Sequence, residues 1–118
     1  MAHYVDGYVL PVPKKKIGAY RKMAQKAGKI WKEYGALQYV ECAGDDLKVK
    51  MGVPFTKAAR ARARETVVFS WIVYKSRADR DRINRKVMSD PRLKMDVKSM
   101  PFDMKRMAYG GFRTIVDL

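Results

Sequence analysis

Histidine and cysteine are nearly missing from this chain, which has one of each, His3 and Cys42, in 118 residues. A single cysteine excludes an internal disulfide, so nothing ties the chain to an oxidising compartment. The two residues together fall short of the roughly four N/S ligands of a structural zinc site, and no metal or other cofactor is expected. Cys42 would be a nucleophile only with a base beside it; the plainer expectation is a small buried apolar side chain. Long apolar runs are also lacking, none reaching the ~18 residues of a membrane-spanning helix. The opening MAHYVDGYVL does not have the basic-then-apolar layout of a signal peptide. A cytoplasmic protein with no membrane partner is the expectation. Acidic residues are scarce too, 12 Asp+Glu against 26 Lys+Arg, for a formal charge of +14. That excess suits a polyanion partner, whose phosphates Lys and Arg neutralise, or a solvated basic surface. No catalytic triad or dinucleotide fingerprint is present, and Gly110-Gly111 lacks the spacing and the Lys-Ser/Thr of a phosphate loop.

The most clearly patterned stretch is Glu65 to Leu93. Val67 to Tyr74 are β-branched, aromatic and aliphatic residues interrupted only by Ser70, as in a central strand packed on both faces. Ser76 is placed to cap a helix, with Asp79 three residues on, and Pro91 stops that helix near Ser89. Its thin apolar face, Ile83, Val87 and the stem of Arg80, suggests a peripheral helix.

Upstream, His3 to Val12 alternates as a first strand closed by Pro11 and Pro13. Lys14 to Tyr34 forms a helix on the stripe Ile17, Tyr20, Ala24, Ala27, Trp31 and Tyr34, with Gly35 as its left-handed terminator. Ala36 to Ala43 is a second strand and Gly44-Asp45-Asp46 a turn. Residues 45–64 lack a clear pattern, KAARARAR fitting a short helix, a hairpin arm or a basic loop, and its Ala/Arg alternation an edge strand. Asp90-Pro91 opens a short helix to about Met95. Lys105 to Ile115 is the last strand, with Asp103 turning the chain into it and a bulge or close approach at Gly110-Gly111. The order β-α-β-β-α-β is the ferredoxin-like one: a single α+β domain over 1–118, a four-stranded antiparallel sheet with both helices on one face. Its other face would bare apolar residues, a patch unusual on a monomer. A homodimer through that open sheet face follows. Composition and pattern give no function beyond this basic α+β domain.

Several stretches carry a resemblance: Tyr4-Val5-Asp6-Gly7, Tyr34-Gly35-Ala36-Leu37, Val40-Glu41-Cys42, Val67 to Ile72, Met88-Ser89-Asp90-Pro91-Arg92, and the tail Met100 to Phe112. Across nearly the whole chain they resemble the bacterial YbaA-like family of uncharacterised proteins (domain of unknown function 1428). The resemblance implies a dimeric α/β barrel and no established activity. The chain departs from the family pattern in extra basic residues at Lys14–Lys16 and Lys57–Arg64.

Within such a barrel the polar strand residues carry the interest, because buried polar groups need partners. Asp6, Glu41, Ser70 and Arg106 either surround a cavity in the barrel interior that holds a small molecule, or form ion pairs of Arg106 with Asp6 or Glu41. Tyr109 beside the double glycine offers a hydrogen-bond donor to such a ligand. The alphabetic alternation of the strands leaves open which of these share a face. An alternative is nucleic-acid binding through Lys14, Lys15, Lys16, Arg60, Arg62 and Arg64. RNA-recognition modules share the strand order and stack bases on sheet aromatics, but dimerisation through the sheet would hide Phe69 and Trp71. A second alternative, a small cofactor-independent oxygenase, rests on fold analogy alone.

Overall fold

A computed structural model describes residues 2–94 and 99–118. Strands β1 (Tyr4–Pro13), β2 (Gln38–Ala43), β3 (Glu65–Tyr74) and β4 (Ala108–Arg113) alternate with helices α1 (Ile17–Glu33), α2 (Phe55–Ala58) and α3 (Arg77–Met88). The sheet order is β2-β3-β1-β4, every neighbour antiparallel. This is the ferredoxin-like arrangement that the element order implies. Among the described residues no helix is long and apolar enough to cross a membrane.

The β-branched run of β3 occupies an inner position, as its two apolar faces require, and its ten residues all pair with β1. Period-two alternation then divides the sheet into a face covered by α1 and α3 and a face left largely bare, buried only at the end around Pro11 and Val67 near α2. Val68, Ile72 and Tyr74 of β3, with Leu10 and Val12 of β1, point under the helices. There they meet Tyr20, Ala24 and Ile30 of α1, Ala36, and Ile83 and Val87 of α3. Ile83 and Val87 are fully buried; each such side chain contributes roughly 1.5–3 kcal/mol. Thus α3 is anchored in the main core, and its narrow apolar stripe understated its role.

The helix ends follow the sequence. Ser76 Oγ accepts from the Asp79 N–H at 3.1 Å, and Gly35 adopts φ 116 just past α1, satisfying orphaned backbone groups at two termini. Asp90 caps a single 3-10 turn, Pro91–Leu93, whose expected end at Met95 lies outside the described residues. Another 3-10 turn, Lys14–Lys16, leads into α1, so the first helix proper begins at Ile17, the first residue of its apolar stripe, and not at Lys14.

Three expectations are corrected. The last strand spans only Ala108–Arg113, and Arg106 sits in a 3-10 turn, Met104–Arg106, capped by Asp103. Gly110 and Gly111 pair in regular register with Gly7 and Asp6, without a bulge. Residues 57–64 are not an edge strand: α2 ends in Ala58 and an irregular loop follows, with Arg60 at φ 54.

Candidate functional site

The register settles which polar residues share a face. Glu41 of β2 pairs with Ser70 of β3, Ser70 with Tyr8 of β1, and Tyr8 with Tyr109 of β4. One rung therefore crosses all four strands, and alternation puts it on the same side as Leu10 and Tyr74, beneath the helices. Directly opposed residues of such a rung have Cβ atoms about 5 Å apart. The next rung on that face holds Tyr39, Ile72, Asp6 and Gly111. Asp6, Glu41, Ser70 and Tyr109 thus meet around one cavity of about 490 Å³ between sheet and helices. The expected location, the barrel interior between two sheets, is wrong for these residues. The odd-numbered positions of β1 and β3 face that way, and they are apolar apart from Gly7 and the terminal Glu65.

Each carboxylate in the cavity is already engaged. Asp6 is 2% exposed and accepts from Arg80 Nη1 at 2.7 Å, with the polar ends of Asn84 and Tyr74 beside it also favouring its charged form. Burial raises its pKa above the usual carboxylate range, while the Arg80 charge pulls it back. Arg80 lies over the Tyr4 ring, 4.9 Å from its centroid. It reaches Asp6 past Gly111, where an added Cβ would sit 2.9 Å from Arg80 Nη1 and collide with the Tyr4 hydroxyl. That is the reason for glycine at 111. Glu41 accepts from Tyr20 Oη and Tyr39 Oη, each at 2.7 Å. The Tyr39 ring lies so close to α1 that a Cβ at Gly28 would come within 2.6 Å of it. Asn84 Oδ1 takes the Trp31 indole N–H at 3.1 Å and the Tyr74 hydroxyl at 3.2 Å.

Besides that of exposed Tyr109, two hydroxyls of the cavity are left free. Tyr8 Oη and Ser70 Oγ have no hydrogen bond among the described residues, yet no sealed side-chain polar atom goes unsatisfied. Both therefore open onto the cavity. Burial first, and the Asp6 and Glu41 charges second, raise the Tyr8 pKa far above that of a free phenol. Tyr20 and Tyr39 are raised by the same combination of burial and Glu41. The phenols stay protonated and are hydrogen-bond donors at any physiological pH. Tyr109, 71% exposed, stacks on Tyr8 at 5.9 Å with the rings 13° apart, flanking the mouth. Met23, Met104, Met107 and Phe102 complete a soft apolar wall.

A second, more open groove of about 900 Å³ runs between α1 and the edge of β2. It shares Tyr20, Tyr39 and Glu41 with the inner cavity, so this hydrogen-bonded trio forms the partition between them.

Arg106 does not belong to the site. It pairs neither with Asp6 nor with Glu41, but forks onto Glu65, Nη1 to Oε1 and Nη2 to Oε2 at 2.7 Å each, and bonds Asp103 at 3.1 Å. The fork holds the Glu65 carboxyl down at about 2. Cys42 is exposed on the bare face and not buried as expected. The six basic residues of the alternative, Lys14, Lys15, Lys16, Arg60, Arg62 and Arg64, lie outside the cavity and are all exposed. Tyr8, Tyr39, Arg80 and Asn84 were missed in the sequence. Tyr8 and Tyr39 were legible in part, each two residues from a polar strand position and hence on the same face; nothing local marks Arg80 or Asn84.

Residues 3–104 match the family described as Protein of unknown function (DUF1428). Over 114 residues the chain is 53% identical to "Uncharacterized protein YbaA" of Escherichia coli strain K12, covering 97% of each. The protein of the same description from Shigella flexneri matches equally. Among solved structures, a dimeric ferredoxin-like protein from an uncultured marine organism superposes with TM-score 0.60 at 14% identity, over 100% of both chains. A nipsnap family protein with unknown function from Agrobacterium tumefaciens gives TM-score 0.57 at 14% identity, over 95% of this chain and 87% of that one. At this identity the structural likeness speaks to fold.

Proposed function

The chain belongs to the DUF1428 family of uncharacterised YbaA-like proteins, and from that premise we propose that it is a homodimer binding a small organic molecule in the cavity beneath the helices of each subunit. The observation that carries the binding reading is the pair of free hydroxyls, Tyr8 and Ser70, set in one rung of an aromatic- and methionine-lined space of about 490 Å³. Ligand sites commonly have volumes of roughly 300–1,000 Å³, apolar walls and a few convergent polar groups. Tyr8 and Ser70 are the groups with hydrogen bonds still to make, so the ligand carries an acceptor such as a carbonyl oxygen on a flat apolar body. The mouth flanked by Tyr109, stacked on Tyr8, provides the way in.

Binding is favoured over acid–base turnover for a physical reason. A general base needs a carboxylate within reach of a substrate proton, and Asp6 and Glu41 are both occupied by protein donors. Dimerisation is supported by the bare sheet face, where Phe55, Phe69 and Trp71 form an edge-to-face chain with centroids 5.9 and 5.7 Å apart. It is supported also by the solved ferredoxin-like relative described as dimeric.

Native mass spectrometry of gently purified protein, followed by thermal-shift screening of aromatic carbonyl compounds, tests the cavity. The expected result is a compound that raises the melting temperature of the wild type but not of Ser70→Trp, in which the indole fills the space. Compounds that shift neither protein, or both equally, would overturn the reading.

A further inference from the structure

Independently of the cavity, one end of the sheet gathers two basic segments of the chain. Because β1 and β3 are adjacent and antiparallel, the exit of the first lies beside the start of the second. Two basic segments almost fifty residues apart in sequence are thereby brought into contact: the Lys14 N–H donates to the Arg64 carbonyl at 2.9 Å. Lys14–Lys16 and Arg60, Arg62 and Arg64 form one exposed patch, and among the described residues none of these six side chains joins an ion pair. The side chains of Glu65 and Asp103 at this end are both taken up by Arg106. Among the described residues, Asp45 and Asp46, just beyond β2, are the other carboxylates near this end.

The loop that carries the arginines is held in place. Ala59 is buried, and Arg106 donates to the Arg60 carbonyl at 3.1 Å while forking onto Glu65. Arg60 itself is kept at φ 54, a left-handed conformation that non-glycine residues rarely adopt. Fixed backbone with free guanidinium ends is what bidentate recognition of phosphate needs. The residues interleaved with the arginines, half-buried Ala61 and exposed Ala63, are not the large apolar anchors by which a protein enters a lipid surface.

We propose that this end of the sheet binds the phosphodiester backbone of a nucleic acid, without reading its sequence. Phosphate contacts position a protein and carry no base information, and their strength falls log-linearly with salt. The patch uses neither the cavity nor the bare face, so binding there is compatible with a dimer.

The test is fluorescence anisotropy with full-length protein and fluorescein-labelled random-sequence RNA and duplex DNA across a potassium chloride series. Two triple variants neutralise the patch, Lys14→Gln/Lys15→Gln/Lys16→Gln and Arg60→Gln/Arg62→Gln/Arg64→Gln. A third, Lys22→Gln/Lys26→Gln/Lys29→Gln, removes the same charge from the outer side of α1. Each patch variant should bind at least about tenfold more weakly, with the duplex salt slope reduced by about 2–3, while the α1 variant changes less than about threefold. Circular dichroism verifies that all three are folded, and any that is not is replaced by its single substitutions. Equal losses in all three, no salt-dependent binding by the wild type, or patch-dependent binding to phosphatidylserine vesicles with none to nucleic acid would overturn the proposal.

Discussion

The two faces of one sheet are built by alternate residues of the same strands, yet they invert the usual division of labour. A sheet covered on one side ordinarily hides apolar residues and shows polar ones. Here the covered side holds Asp6, Glu41, Ser70, Tyr8 and Tyr39 among its apolar residues, and the bare side shows Val5, Val9, Phe69, Trp71, Val73 and Phe112. Phe69 is 43% and Phe112 61% exposed. Burying polar groups costs stability unless they are bonded, and exposing apolar ones forgoes it. On the proposed function, the first face holds a small molecule and the second meets another copy of the chain.

The polar side offers the largest effect by which to break this contrast. Asp6→Ala leaves Arg80 without its buried partner and should cost about 3 kcal/mol in urea unfolding, as for other broken buried pairs. A loss below about 1 kcal/mol, the size for an exposed pair, would place Asp6 in water and the cavity with it.

At the margin of the bare face, Glu65→Gln weakens the fork from Arg106 and should cost about 2 kcal/mol at neutral pH. The folded-state pKa of Glu65 is lowered, from 4.5 to about 2. Its stabilisation is therefore complete above pH 4.5 and fades as pH falls toward 2. Unfolding curves of wild type and variant should converge over that window; a constant gap would mean that the carboxylate is not what the fork stabilises.

Two glycines of α1 sharpen the comparison from the helix side. Gly28→Ala drives a methyl into the Tyr39 ring, pinned by Glu41, and should destabilise by about 1 kcal/mol after the gain in helix propensity. Gly18 has open space around it, so Gly18→Ala should stabilise by about 0.5–1 kcal/mol. Thermal unfolding that moved both in the same direction would show the Tyr39 ring to be free.

Much of the architecture was legible because its signals are local. The β-branched run of β3, the Ser76 cap and Gly35 each act within a few residues. The site was legible only in part. Alternation tells which residues share a face, but not which face the helices cover, and so the expectation for Asp6, Glu41, Ser70 and Tyr109 names the wrong side of the sheet. The partner of Arg106 is Glu65, 41 residues away, and that of Asp6 is Arg80, 74 away; no local spacing encodes such pairs. The last strand was overextended because apolar and basic residues continue on both sides of Ala108–Arg113, while Asp103 diverts the chain into a 3-10 turn first.

The claim that the bare face is sealed by a second copy is tested most directly by light scattering coupled to size exclusion at micromolar concentration. The wild type should show twice the 13.6 kDa chain mass, and Trp71→Glu should show the single-chain mass with its circular dichroism unchanged. A wild type of single-chain mass, or a Trp71→Glu variant that still pairs, would contradict the account.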